Sequence, residues 1–202
     1  MKALIIIGHP ETDSFCYDGI FRTIKTILEN KKVEIKTIEL YQEDFRRENT
    51  DLVKTYKDYI SWSTHIYFVS PVWWFRCTPK LEVFFDEVFT PGFAYNFKPI
   101  TKTIGLPSAL LKDKIVRTYI THGAPALPVL TLYANSGKLR LIMGVYSFVF
   151  GWNWKLWFRT RQFWSVPFVS RDKRVSYLEK VIKDIKDDLY HAKKKTKNKN
   201  NL

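Results

Sequence analysis

Three consecutive aromatic residues, Trp73, Trp74 and Phe75, follow the apolar run 65–69 and a proline turn. Aromatic faces stack on flat ring systems, and in open α/β sheets ligands bind beyond the carboxyl ends of the strands. Large aromatic residues usually pack in a core, but three in a row after a strand end cannot all face one core. We therefore expect at least one of them to line a cleft.

Two further segments carry residue types that could bind an anionic ligand. Residues 8–16 (GHPETDSFC) lead into a helix, whose unpaired amide groups and positive end favour an anion, and His9 and Ser14 could add donors. Ser14 could equally act only as the helix N-cap. Residues 121–125 (THGAP) combine small residues, which let backbone amides approach a ligand, with His122, although an isolated histidine is more often structural. Neither segment has the glycine pattern of a Rossmann or P-loop site.

A parallel sheet would bring these three segments together. Apolar runs at 3–7, 65–69 and 114–121 predict buried strands, and weaker patterns predict strands at 33–40 and 154–163. Helical spacing of apolar residues predicts helices in the following ranges: 20–28, 51–62, 78–88, 138–150 and 175–189. The segment 91–107 has neither pattern and is predicted to be a long loop.

Alternating strands and helices imply right-handed βαβ units. We predict an α/β fold, a flavodoxin-like doubly wound parallel sheet of five strands in the order 2-1-3-4-5, with helices on both faces. In this order the loops after strands one, three and four converge. They are the three segments described above.

Composition predicts one domain over residues 1–192 and a basic, disordered tail over 193–202. The chain has 202 residues and a net charge of +13, and five of those charges come from lysines of the tail. We therefore favour a solvated tail over a nucleic-acid or membrane partner. The charge on the body could attract an anionic substrate.

Cysteine and histidine usage predicts no disulfide framework and no metal site. Cys16 and Cys77 are far apart, and the four histidines are scattered. The apolar N-terminal run is too short for a signal peptide, and no uncharged stretch approaches 18 residues. We expect a soluble cytoplasmic protein.

The motifs resemble those of the NAD(P)H:quinone oxidoreductases of the flavodoxin-like superfamily, the DT-diaphorase type and its bacterial relatives. Three segments carry the resemblance, in the family's order: 3–16, 70–95 (SPVWWFRCTPKLEVFFDEVFTPGFAY) and 121–124. The second is the most specific. The resemblance implies bound FAD, with FMN possible, which takes a hydride from NAD(P)H and passes it to a quinone-like acceptor in a ping-pong mechanism. It also implies a homodimer.

Carried over by position, the resemblance assigns cofactor binding to the three segments and to one C-terminal arginine. These residues are His9, Ser14, Phe15, Cys16, Pro71, Val72, Trp73, Trp74, Phe75, Thr121, His122, Gly123, Ala124 and Arg174. It places Tyr95 and Phe97 where a partner subunit covers the substrate.

The chain also departs from the family pattern. Cys16 stands where relatives usually have asparagine, and residues 126–129 (ALPV) replace the tyrosines found there in many relatives. We therefore name His122, as a hydrogen-bond donor to the flavin, and Tyr133 as candidate catalytic residues.

Two other functions stay open. One is a one-electron carrier of the flavodoxin type, which the basic charge and the His9-Pro10 pair disfavour. The other is an ancillary subunit of a membrane transporter, for which the aromatic stretch 145–164 could be the docking surface. We favour a role of this stretch in the core and in a dimer interface.

Overall fold

The computed structural model describes residues 1–101 and 103–200, for the last six of these the backbone alone. Its main sheet has five parallel strands in the order β2-β1-β3-β6-β7, which confirms the predicted order. The strands of this sheet are β1 (Lys2–Ile7), β2 (Glu34–Glu39), β3 (His65–Pro71), β6 (Ile115–Thr121) and β7 (Thr160–Phe163).

Helices connect these strands and cover both faces of the sheet. Their bounds are α1 (a π-helical turn Phe15–Phe21 continuing as Arg22–Asn30), α2 (Thr50–Trp62), α3 (Pro79–Val88), α4 (Ala126–Leu130), α5 (Ser136–Leu139, the π-helical Arg140–Tyr146 and Ser147–Phe150), α6 (Trp154–Arg159) and α7 (Arg171–Asn200).

The core has two halves, one on each face of the sheet. In β1, Leu4 and Ile6 pack under α2, α3 and α5, whereas Ala3, Ile5 and Ile7 pack under α1 and α7. Because both faces are buried, the central strands are continuous apolar runs rather than alternating ones. This explains why the sequence revealed them.

Buried charges connect α7 to the sheet. Arg117 on β6 donates to Asp188 through Nε and Nη2, both at 2.8 Å, and its Nη1 lies 3.3 Å from Asp184. Asp184 also accepts from Arg161 on β7 at 2.7 and 2.6 Å. Tyr67 on β3 donates to Asp188 at 3.3 Å. The C-terminal helix is therefore held by a hydrogen-bonded ion network as well as by apolar packing.

Two segments differ from the sequence predictions. The predicted strand 154–163 is a helix, α6, over its first six residues, because the Asn153 side chain caps the helix by accepting from Lys155 N–H at 2.8 Å. A hairpin of β4 (Tyr95–Pro99) and β5 (Gly105–Ala109) starts within the predicted loop 91–107 and extends two residues beyond it. Most of the hairpin side chains are exposed on both faces, so no alternating pattern marks it.

The backbone of α7 is helical through Asn200. The basic, disordered tail predicted for residues 193–202 stays a prediction. Residues 201–202 of that tail lie outside the described residues. Within the described part of the chain, no helix is both long and apolar enough to cross a membrane.

Candidate functional site

A cavity of about 460 Å³ opens at the carboxyl edge of the sheet, where β1, β3 and β6 end. This volume lies in the range of small-molecule sites, about 300–1,000 Å³. The lining residues are His9, Asp13, Ser14, Phe15, Cys16, Pro71, Val72, Trp73, Thr121, His122, Gly123, Val166, Pro167 and Arg174. The structure thus brings together eleven of the fourteen predicted cofactor residues, from all three segments and from α7.

Trp74, Phe75 and Ala124 are the predicted cofactor residues that do not line this cavity. The side chain of Trp74 is 90% exposed. Phe75 packs against Tyr133, with ring centroids 4.5 Å apart. The Ala124 carbonyl accepts from Ser165 N–H at 3.0 Å. Tyr133 is half-exposed and packs outside the cavity. The structure therefore does not place this candidate catalytic residue among the residues that line the cavity.

The predicted substrate residues lie on the β4–β5 hairpin, away from the cavity. Tyr95 packs edge-on against Phe97, with centroids 5.5 Å apart, and against Phe148 of α5 at 6.2 Å. They were predicted to act in a partner's site, and that role stays a prediction.

Sequence reasoning missed three lining residues, Asp13, Val166 and Pro167. Val166 and Pro167 follow β7, whose carboxyl end reaches the same edge of the sheet as the other parallel strands. The predicted strand order contains this signal, because the fifth strand is parallel to the others.

In the first loop, residues 8–16, the side chains of Ser14 and His9 mainly form hydrogen bonds with the loop itself and the first turn of α1. Ser14 caps α1, because its Oγ accepts from Tyr17 N–H at 3.2 Å, and it donates to the Glu11 carbonyl at 2.8 Å. His9 Nδ1 accepts from Glu11 N–H at 3.0 Å, and burial lowers the pKa of His9. The groups left for a ligand are the first amides of α1, which precede the helix's own hydrogen bonds and favour an anion.

Arg174 contributes an unsatisfied donor to the same cavity. Its Nε is buried and has no hydrogen-bond partner among the described residues, while one Nη2 hydrogen bond reaches the Pro167 carbonyl at 3.5 Å. A buried donor left unpaired costs about 1–3 kcal/mol. An anionic acceptor in the cavity would remove this cost.

Cys16 connects the first and third loops. Its Sγ lies 3.0 Å from Thr121 Oγ1, within hydrogen-bond distance for sulfur. Burial raises the pKa of the Cys16 thiol to about 12, so it is protonated at neutral pH and is not a nucleophile. Cys16 therefore joins β6 to the start of α1.

His122 is a buried, neutral member of the wall. Burial lowers its pKa to about 4. Its ring stacks on Trp164 with centroids 4.2 Å apart, and its Nε2 lies 3.2 Å from Gln162 Oε1. Because an amide oxygen only accepts, Nε2 carries the proton in this arrangement and Nδ1 is an acceptor. The predicted donor role would need the other tautomer.

The depressed pKa predicts acid sensitivity. In the unfolded chain His122 titrates near pH 6.5, so that state binds the extra proton as the pH falls from about 6.5 towards 4, and the folded state loses stability in this window. Between pH 7 and 4.5 we expect about 2–3 kcal/mol of lost stability from this residue. In His122→Gln, the free energy of unfolding measured with urea should fall less between pH 7 and 4.5 than in the unsubstituted protein, and the difference should equal this amount. An equal fall in both proteins would contradict a neutral His122.

The aromatic turn is strained. Trp73 and Arg76 exchange backbone hydrogen bonds at 2.8 and 3.1 Å, and the residues between them, Trp74 and Phe75, have φ of 51° and 60°. Such left-handed conformations cost about 1–2 kcal/mol for residues other than glycine. Gly137 lies against the turn, where an added Cβ would be 3.1 Å from the Phe75 carbonyl oxygen. Strain of this kind often marks functional sites.

We expect Trp74→Asn to stabilise the folded protein by about 0.5–1 kcal/mol, because asparagine tolerates positive φ and the exposed indole loses little packing. Chemical denaturation measures this change. Trp154→Asn removes another exposed tryptophan from regular helix and should not stabilise. Equal effects of the two substitutions would show that the strain is not the cause.

The sheet order, the two helical layers and the cavity at the switch in strand order define a doubly wound α/β protein of the flavodoxin type. The sequence model of the family described as "Flavodoxin-like fold" matches residues 1–133, well over half of the chain. The chain belongs to this family.

Solved structures share the fold over nearly the whole chain. Smu.1420 from Streptococcus mutans UA159 is 25% identical, with 93% of this chain and 100% of that one covered and a TM-score of 0.75. The NAD(P)H:quinone oxidoreductase from Methanothermobacter marburgensis is 17% identical, with 92% and 95% covered and a TM-score of 0.68. The FMN-dependent NADH-azoreductase from Bacillus anthracis, in complex with FMN, is 16% identical, with 95% and 99% covered and a TM-score of 0.64. A comparison with curated proteins finds no match.

Proposed function

We propose that this chain is a flavin-dependent NAD(P)H oxidoreductase that reduces quinones or similar acceptors. The observation that carries the proposal is the buried, unpaired Nε of Arg174 in a cavity that also holds the first amides of α1. Together they form a site for an anionic group beside a wall that contains the ring of Trp73. The reductase names of two structural neighbours support the same class of activity.

The residues of the cavity fit a flavin at both of its ends. Arg174 and the α1 amides would hold the phosphate, since both supply N–H donors and positive charge. Trp73, which is 38% exposed, would lie along the ring system, and Gly123 would let the backbone approach the opposite side of the ring. A bound flavin supplies hydride transfer, from NAD(P)H and on to the acceptor in two half-reactions.

The flavin itself is proposed to be FAD, with FMN as the second candidate. The resemblance in the motifs supports FAD, and the FMN in the Bacillus anthracis neighbour supports FMN. Releasing the flavin from the purified protein by denaturation and identifying it by chromatography decides between them.

His122 stays the proposed catalytic residue. To donate to the flavin from Nδ1, it must hold the proton there, and Gln162 must then turn its amide NH₂ towards Nε2. A slower reductive half-reaction in His122→Ala, at full flavin content, would support this role. An unchanged rate would remove it.

We also propose the homodimer that the resemblance implies. Tyr95 and Phe97 lie outside the cavity of their own chain, as expected of residues that serve a partner's cavity. Light scattering of the holoprotein measures the mass of the assembly. A Phe97→Ala variant should then change the KM for the acceptor and leave flavin content unchanged.

The direct test of the function has two stages. The purified protein should be yellow, and it should oxidise NADH or NADPH with menadione as acceptor. A colourless protein that takes up neither FAD nor FMN would contradict the proposal. A flavin-bound protein without NAD(P)H oxidation would favour a one-electron carrier.

The transporter-subunit alternative keeps one supporting observation. Trp152 and Trp154 form an edge-on pair, with centroids 5.7 Å apart, and both are exposed, as is Phe158. An exposed aromatic patch can be an interaction site. Recovery of the protein in the membrane fraction would favour this function if replacing Trp152 and Trp154 with serine abolishes that recovery.

A further inference from the structure

A second cavity, of about 400 Å³, lies behind the wall of the first. The residues that line it are Leu130, Asn135, Lys138, Trp157, Phe158, Thr160, Arg161, Gln162 and Trp164. Trp164 and Gln162 are the contacts of His122, so the two cavities share this wall. All of the lining residues except Leu130 lie beyond residue 133, outside the part that matches the family.

Lys138 is the unneutralised cation of this cavity. The residue is only 8% exposed, and its Nζ lies 4.4 Å from the centroid of the Trp157 ring. No carboxylate or hydrogen-bond acceptor among the described residues contacts this ammonium group. Burial, and next the charge of Arg161, lower the pKa of Lys138 to about 8, so it is still protonated at pH 7. Lys138 lines the cavity, so an anion bound there would pair with its ammonium group.

Asn135 supplies a second polar group without a hydrogen-bond partner among the described residues. It is 8% exposed, and its Oδ1 is buried with no hydrogen-bond partner among the described residues. Its backbone is in the left-handed region, with φ of 53°, and its N–H donates to the Val129 carbonyl at 2.8 Å. The side chain therefore presents an acceptor that requires a donor.

Three other polar side chains of the cavity already have partners. Arg161 is paired with Asp184 through Nε and Nη2, and Thr160 donates to the Leu156 carbonyl at 2.8 Å. Gln162 contacts His122. Lys138 Nζ and Asn135 Oδ1 have no such partner among the described residues, and a ligand with an anionic group and a hydrogen-bond donor would pair with both. The tryptophan and phenylalanine rings favour an aromatic body.

We propose that this second cavity binds an aromatic carboxylate that carries a hydroxyl group. The carboxylate pairs with Lys138 Nζ, and the hydroxyl donates to Asn135 Oδ1. The aromatic ring packs against Trp157 and Trp164.

Calorimetric titration with 3-hydroxybenzoate, benzoate and phenol tests the site on the full chain. We expect 3-hydroxybenzoate to bind with one-to-one stoichiometry, benzoate to bind about threefold to tenfold more weakly, and phenol weakest of all. Lys138→Met should lower the affinity for 3-hydroxybenzoate about tenfold or more, because the substitution removes a charged partner of the carboxylate. Lys155→Met removes the same charge from exposed α6 and should leave the affinity unchanged.

Asn135→Gly is the matched variant for the hydroxyl. Glycine accepts the positive φ of this position, so the substitution removes Oδ1 without straining the backbone. It should abolish the preference for 3-hydroxybenzoate over benzoate. Thermal unfolding shows whether each variant is folded. If Lys138→Met does not fold, Asn135→Gly still tests the proposal.

Three results would overturn the proposal. The first is the absence of saturable binding of all three compounds. The second is binding that Lys138→Met and Asn135→Gly leave unchanged, which would place the ligand elsewhere on the protein. The third is equal affinity for benzoate and phenol, which would show that Lys138 does not recognise the carboxylate.

Discussion

Replacing Arg174 with methionine is expected to weaken flavin binding by about tenfold to a hundredfold, the effect of removing a charged hydrogen-bond donor from a buried anion. Arg174 Nε is buried in the cavity wall and has no acceptor among the described residues. A flavin phosphate would be that acceptor. Titration of flavin-free protein with FMN and with FAD, followed by quenching of flavin fluorescence, measures the change.

The same substitution has a second expected effect that does not depend on the flavin. Because it removes a buried unpaired donor, flavin-free Arg174→Met should be as stable as the unmodified protein or more so, by about 1 kcal/mol. Arg171→Met, which removes the same charge from an exposed position on α7, serves as the control and should change neither property. Weaker flavin binding in both variants would mean that overall charge, and not Arg174 itself, holds the flavin.

Asp188→Ala is expected to destabilise the protein by about 3–5 kcal/mol, because it leaves a buried charge without its main partner. Asp188 is 2% exposed and accepts both short hydrogen bonds of Arg117. In the variant Arg117 retains only Asp184 at 3.3 Å, and Asp184 is already paired with Arg161. Urea denaturation at pH 7 measures the loss.

The control for this prediction is an exposed ion pair. Arg46 and Asp44 are 2.8 Å apart, and most of each side chain is exposed. Asp44→Ala should therefore cost much less stability than Asp188→Ala. A loss at Asp188 as small as that at Asp44 would show that water reaches the buried network and screens it.

The strand order and the two-layered core were predictable from the sequence. Strands buried on both faces are mostly apolar, so β1 and β3 contain the unbroken runs 3–7 and 66–69, which can be recognised without tertiary information. The hairpin β4–β5 and the helix α6 were not predictable. Most of the hairpin side chains face solvent, and α6 is only six residues long and depends on one cap from Asn153.

The sequence by itself determined which loops meet at the carboxyl edge of the sheet, because strand order alone fixes that. Only the tertiary structure decided which side chains of those loops face the cavity. Trp73 lines it, whereas a turn with positive φ directs Trp74 into solvent. Arg174 is about 50 residues from the third loop, and packing of α7 brings it into the same wall. Burial lowers the pKa values of His122 and Lys138. The size of this effect depends on how completely distant segments exclude water, which no local sequence pattern records.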